Sequence, residues 1–358
     1  MKMKNNHLII MAGGIGSRFW PMSTPEMPKQ FIDILGIGKT MIQLTVERFS
    51  GVVPIENIWV VTSKKYKDIV KKQIEGISED NILLEPCMRN TAPCIAYVSW
   101  KIRKKFKNAN LIFSPADHLV MEVDKFQSVI NEGIDFISNS DKILTLGMQP
   151  TRPETGYGYI KEDNNIKLKG AFKTIKKVEA FKEKPSLELA KEYISEGSYN
   201  WNAGIFLWDV NTVIKSIKEF LPDIADIFNK IEPSMFSSEE QNIIDKEFPS
   251  CQNISIDYAV MEKSSDVYVL PASFGWSDLG TWGSLYNQVK KDENTNAVVS
   301  NCNVKLVDCE NCMVHTPENK SVVIQGLKDS IIAEKDGRLL ICKRDDEQLI
   351  KEWSTSVD

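Results

Sequence analysis

The residues best suited to chemistry in this chain lie in a few short runs. Residues 12–21 read Ala-Gly-Gly-Ile-Gly-Ser-Arg-Phe-Trp-Pro, directly after an apolar run, His7–Ala12, with the pattern of a buried strand. Glycines at the carboxyl end of a strand let backbone N–H groups approach a phosphate chain closely. Ala12, Gly13, Gly14, Gly16 and Ser17 are therefore candidate nucleotide contacts. Arg18 follows the loop and Lys29 comes in Pro28-Lys29-Gln30, two cations able to neutralise phosphate charge. Two commoner phosphate motifs are excluded. A dinucleotide fingerprint needs a third glycine where Phe19 stands, and the Gly-Lys-Ser/Thr ending of a P-loop is absent. The plainer alternative for the run alone is a tight turn with a solvated arginine.

Two aspartates stand where strands give way to other structure. Asp117 lies in Ser114-Pro115-Ala116-Asp117-His118 and Asp278 in Gly275-Trp276-Ser277-Asp278-Leu279-Gly280. In open α/β sheets ligands gather at the carboxyl edge of the strands. Mg²⁺ on a triphosphate takes one or two protein carboxylates and fills its shell with phosphate oxygens and water. A turn residue (Asp117) and a helix N-cap (Asp278) are the plainer readings.

The elements that must position these residues alternate. His7–Ala12, Asn57–Thr62, Asn81–Leu84, Asn110–Ser114 and Lys142–Gly147 read as strands. Thr40–Phe49, Lys64–Glu75, Thr91–Phe106 and Lys125–Ile137 read as the helices between them. That rhythm predicts an α/β fold, a Rossmann-like, mostly parallel sheet flanked by helices. Strands at Tyr157–Lys161, Lys177–Phe181, Asn202–Trp208 and Val267–Pro271 follow, with helices at Leu187–Ser195, up to about Lys263, and at Leu279–Val289. From about Asn294 short β-rich runs recur every nine or ten residues, then a terminal helix over Asp346–Trp353. The division expected is a catalytic domain over 1–290 and a small β-rich domain over 291–358.

The run G-G-x-G-x-R-x-x-P followed by Pro28-Lys29 resembles the signature of the sugar-nucleotide pyrophosphorylases, the nucleoside-triphosphate:sugar-1-phosphate nucleotidyltransferases. Phe181-Lys182-Glu183-Lys184-Pro185, Trp201-Asn202-Ala203-Gly204 and Glu154-Thr155-Gly156-Tyr157-Gly158 resemble that family's sugar-phosphate motifs, in the family's order. The matches run from residue 7 to about 289. The resemblance implies Mg²⁺ on Asp117 and Asp278, with Ala116 at the nucleotide. Arg18 and Lys29 would act on the departing pyrophosphate and Lys184 on the attacking phosphate. Gly156, Tyr157, Glu183 and Asn202 would contact the sugar. It also implies a nucleotidyltransferase fold whose tail forms a short left-handed β-helix, often used for subunit contact, and hence a homodimer. Some relatives carry a further C-terminal isomerase domain; none is expected here.

Glu85-Pro86-Cys87-Met88-Arg89-Asn90-Thr91-Ala92-Pro93 bears on the base. A guanine edge offers two adjacent N–H donors, and an ionised carboxylate accepts both. Glu85 thus favours guanine over uracil, unless it is only a solvated strand end. The Arg89–Pro93 run, with Asn90 and Thr91, and the run Ser255–Lys263 resemble the mannose-1-phosphate guanylyltransferase branch. That makes GTP and mannose 1-phosphate the expected substrates. Another nucleotide–sugar pair, or a non-catalytic nucleotide-sugar-binding subunit, is the alternative. Composition agrees with a small-molecule enzyme. The 358 residues carry a net charge of −5 and a pI near 5.5, unlike a nucleic-acid binder, and the basic run Lys101–Lys107 reads as a solvated helix face. No signal segment and no run approaching the roughly 20 apolar residues of a membrane span is seen, so a cytoplasmic location is expected. Seven cysteines, including a lone Cys309-x-x-Cys312, read as buried or free thiols.

Overall fold

A computed structural model describes residues 5–138, 140–299, 303–317 and 320–357. Cys302 lies outside them. The strands are β1 (Asn6–Ala12), β2 (Ile58–Ser63), β3 (Ile82–Glu85), β4 (Asn110–Pro115), β5 (Leu119–Val120), β6 (Ile143–Met148), β7 (Gly158–Lys167), β8 (Lys176–Glu183), β9 (Tyr199–Asp209), β10 (Val267–Ala272) and β11 (Trp276–Ser277). The tail adds β12 (Ala297–Val299), β13 (Asn303–Val307), β14 (Met313–His315), β15 (Ser321–Gln325), β16 (Ser330–Lys335) and β17 (Arg338–Lys343). Contacts divide the chain into two compact units. The first takes the chain up to Gly13, then Val46–Pro115 and Val120–Trp276; the second takes Gly14–Thr45, Ala116–Leu119 and Ser277 onward.

The first unit is built on a nine-stranded sheet of order β3-β2-β1-β4-β9-β6-β10-β8-β7. It is mixed, and only its first half is uniformly parallel. β9 runs antiparallel to both β4 and β6, and β7 and β8 also pair antiparallel. Strands buried on both faces need continuous apolar runs, and β1 and β2 supply them. In register, Met11 of β1 sits beside Val61 and Pro115, and Glu85 beside Ser63. β1, β2, β3 and β4 therefore end together at one edge. Helix α1 (Met41–Arg48) precedes β2, α2 (Lys67–Gln73) follows it, and α3 (Thr91–Lys105), α4 (Val123–Ile137), α5 (Leu187–Glu196), α6 (Val210–Phe220), α7 (Pro222–Ile231) and α8 (Glu240–Glu247) come later.

The basic run in α3 is not a solvated face, contrary to the sequence reading. Lys101 is buried, and its ammonium is 2.6 Å from Glu240. Lys104 donates to the carbonyls of Glu232, Pro233 and Met235, and Arg103 pairs with Glu232. Residues more than a hundred positions away supply the partners that let these cations leave water.

In the second unit the tail strands pair in two parallel stacks, β12–β14–β16 and β13–β15, with β17 antiparallel on β16. The core of this unit is shared. Phe19, Ile34 and Met41 are buried in one cluster with Trp282, Met313, Ile331 and Leu340. Phe19 and Trp282 lie 5.2 Å apart between ring centres. The expected helix from Leu279 begins later, as α9 (Trp282–Gln288), and its N-cap is Thr281 rather than Asp278. Thr281 and Ser284 form a reciprocal capping box, and Leu279 adopts a left-handed φ of 43° that a helix cannot contain. Cys309 and Cys312 are buried, their thiols donating to carbonyls of Val307, Ile324, Glu310 and Leu327.

Candidate active site

The candidate residues fall into two groups. The first lies in the second unit and centres on Lys29, which is only 3% exposed. Its ammonium pairs with Asp117 at 2.8 Å and donates to the backbone carbonyls of Asp278 (2.9 Å) and Leu279 (2.8 Å). All three donors of the ammonium are thus used, and one cation ties the Asp117 motif to the Asp278 motif. The glycine-rich loop is held from the same side. Gln30 donates to Gly14 O at 2.9 Å, the Lys29 backbone N–H to Ile15 O at 3.1 Å, and the Ser23 hydroxyl also to Ile15 O. Gly16 sits at φ +75°, and a Cβ there would lie 2.7 Å from Lys29 Cβ, so only glycine lets the loop cross this lysine. Ser17 opens a 3₁₀ turn, Ser17–Phe19. Arg18 is exposed, its guanidinium 3.4 Å from Gly280 O.

Asp117 and Asp278 are both half-buried. Asp278 accepts the Gly280 N–H at 2.8 Å, which fixes the carboxylate against its own turn. Ala116 is buried, and its carbonyl accepts the Thr45 hydroxyl at 3.1 Å. Among the described residues no group of three or more His, Cys, Asp or Glu side chains could hold a metal alone. Asp117 meets the Lys29 ammonium through its carboxylate and Asp278 through its backbone carbonyl, so the two aspartate segments are brought to one cation by different atoms.

The second group lies in the first unit. Glu85, the last residue of β3, is 9% exposed, and its Oε1 finds no hydrogen-bond partner among the described residues. Burial pushes its carboxyl up to about 8. Gly13 lies beside it, since a Cβ there would be 3.8 Å from Glu85 Oε2. Ala12 ends β1, its carbonyl accepting the Thr62 hydroxyl. Asn90, at φ 66°, caps α3 by accepting the Thr91 N–H, and the Thr91 hydroxyl accepts the Ile256 N–H at 2.9 Å.

Also in the first unit, Tyr157 is buried edge-on against Trp201 and Trp276, each 5.2 Å away, while Gly156 is exposed and donates to Glu154. Lys184, at φ 44°, pairs with Glu183 at 2.7 Å. Gly158 is cut away for that glutamate: a Cβ would meet Glu183 Oε2 at 2.5 Å and Asn202 Cβ at 3.5 Å. Asn202 stands on β9 where the register with β6 shifts. Its amide oxygen accepts the Gly204 N–H and its amide nitrogen donates to Asp257 at 2.8 Å. Burial raises Asp257 to about 6, with Glu183 adding to the shift and the Asn202 hydrogen bond opposing it. Sequence reading singled out the run around Asp257 but gave it no role. It also missed Gln30 as a support of the loop, for which its place next to Lys29 was the only signal.

A family profile described as Nucleotidyl transferase matches residues 7–295, and the chain belongs to that family. It is a nucleotidyltransferase. Among curated relatives it is 35% identical to the alginate biosynthesis protein AlgA of Pseudomonas aeruginosa, over 98% of this chain and 72% of that one. It is 33% identical to the mannose-1-phosphate guanylyltransferase of Escherichia coli (98% and 75% covered) and 36% identical to that of Salmonella montevideo (96% and 72%). A crystal structure described as a mannose-1-phosphate geranyltransferase from Thermus thermophilus matches with a TM-score of 0.88 at 28% identity, covering 99% of each chain. No helix among the described residues is long and apolar enough to cross a membrane.

Proposed function

We propose that this nucleotidyltransferase transfers GMP from GTP to α-D-mannose 1-phosphate, releasing pyrophosphate. The observation that carries the base assignment is Glu85, a buried carboxyl with an unpartnered oxygen beside the first loop glycine. A buried polar group without a partner is costly, and a guanine edge supplies two N–H donors to one that has ionised. The sugar assignment rests on the likeness to the guanylyltransferases of Escherichia coli and Salmonella montevideo.

The attacking group is an oxygen of the sugar phosphate, which is already anionic. It forms a bond to the α-phosphorus as the bond from that phosphorus to the β-phosphate bridging oxygen breaks. No side-chain nucleophile or general base is required, so catalysis is positioning and charge stabilisation. Arg18 and Lys29 serve the leaving pyrophosphate, Lys184 holds the attacking phosphate, and Glu183 and Asn202 orient the hexose. Asp117 and Asp278 would hold Mg²⁺, which supplies charge neutralisation on phosphate oxygens when bound. Lys29 keeps the two aspartate segments together in its absence. The domain boundary near 290, a left-handed β-helix built from the two parallel stacks of the tail, a homodimer formed through it, and a cytoplasmic location belong to the same proposal.

The test is pyrophosphate release with Mg²⁺ across GTP, ATP, UTP and dTTP, each with mannose and glucose 1-phosphates. Release confined to GTP with mannose 1-phosphate is expected. Release with another pair would overturn the specificity assignment and keep the chemistry.

A further inference from the structure

We propose that Asp257 is the positioning residue of the sugar pocket: it locks the Asn202 side-chain amide in one orientation, so that this amide and the Glu183 carboxylate meet the hexose hydroxyls as a fixed pair. The inference rests on the reading of Glu183 and Asn202 as sugar contacts, and it goes beyond that reading by adding a residue from a different element.

The geometry leaves the amide no choice. Asn202 and Gly204 stand on β9, where the register with β6 slips between Thr145 and Gly147, and Gly204 takes a left-handed φ of 64°. Such an irregularity re-aims a side chain and leaves a backbone N–H needing a partner. The Gly204 N–H can only donate, so the group it meets at 3.0 Å must be the Asn202 amide oxygen. The amide nitrogen is then the donor, and 2.8 Å from it lies Asp257 Oδ1, an acceptor. Asp257 opens a π-helical turn, Asp257–Met261. Rare turns of this kind recur at functional sites. With one amide hydrogen given to Asp257, one is left for a ligand. Beside it is Glu183, its Oε2 standing over Gly158, where a Cβ would also touch Asn202. Glu183 lies close enough to raise the Asp257 carboxyl. A carboxylate kept in so crowded a place is explained by the amide it holds.

The experiment uses the full chain. Asp257→Ala should raise KM for mannose 1-phosphate at least tenfold with KM for GTP changed less than twofold. Asp257→Asn should recover most of the loss, because its carboxamide oxygen accepts the same N–H. Unchanged kinetics in Asp257→Ala overturns the proposal. So does an Asp257→Asn variant as impaired as the alanine, which would mean that charge, not orientation, matters. A second readout needs no activity: the exchange rate of the Asn202 side-chain amide hydrogens by NMR in the ligand-free protein. It should rise at least tenfold in Asp257→Ala and stay near wild type in Asp257→Asn. If the wild-type chain transfers no nucleotide to any sugar phosphate, the functional reading fails, and amide exchange alone decides whether Asp257 fixes Asn202.

Discussion

The two groups of candidate residues handle charge in opposite ways. Around Lys29 every charge is answered: a buried ammonium meets one carboxylate and two carbonyls, and Asp278 meets the Gly280 N–H. Glu85 keeps an oxygen without a partner among the described residues, and burial raises the carboxyls of both Glu85 and Asp257. A phosphate chain brings diffuse negative charge, and a pre-formed, internally neutral lattice can receive it without rearranging. A base or a sugar brings neutral N–H and O–H donors. Those are recognised best by acceptors whose needs are unmet until the right ligand arrives.

The largest effect should come from breaking the answered group. Asp278→Asn keeps an oxygen to accept the Gly280 N–H, so the turn and the melting temperature should hold, while kcat falls about 10³-fold. A rate within tenfold of wild type would remove Asp278 from the chemistry. Glu85→Gln probes the unanswered group. Its kcat/KM for GTP should fall about 10²-fold, because an amide offers guanine a donor where an acceptor is needed.

The same variant has a pH signature. In the folded, ligand-free chain Glu85 holds its proton up to about pH 8, whereas the unfolded chain loses it near 4.5. Between those values unfolding releases a proton, so stability falls as pH rises and levels off above 8. Urea unfolding from pH 5 to 9 should show the wild type losing about 2–4 kcal/mol relative to Glu85→Gln across that window. Parallel curves would mean that Glu85 is ionised throughout. The smallest effect belongs to Thr281→Ala. Loss of its capping box should cost about 1 kcal/mol of stability while changing kcat less than threefold. A larger fall in kcat would show that the start of α9 positions the carbonyls that hold Lys29.

Much of this was legible in the chain. The loop after β1, Lys29, Asp117 and Asp278 are local patterns at strand ends, and strand ends are set by apolar runs that sequence displays directly. What escaped depends on partners far along the chain. Lys101 reads as solvated until Glu240 arrives from 139 residues away. Asp257 gains its meaning only where β9 slips register and turns Asn202 toward it. The start of α9 was misplaced because two capping signals compete within four residues, and the reciprocal pair at Thr281 and Ser284 satisfies more backbone N–H groups than Asp278 can. The direction of β9 also escaped, since an apolar run looks the same whichever way it is threaded.

The core that unites Phe19, Ile34 and Met41 with Met313, Ile331 and Leu340 has a consequence for biosynthesis. A ribosome adding about 5–20 residues each second exposes the glycine-rich segment long before the strands that bury its apolar side chains exist. During that interval Phe19 and its neighbours have no native cover. Completion of this core must therefore wait for the tail, and holdase chaperones have a defined window in which to act. A message truncated within the tail would yield a chain in which Phe19, Ile34 and Met41 lack Met313, Ile331 and Leu340 as core partners.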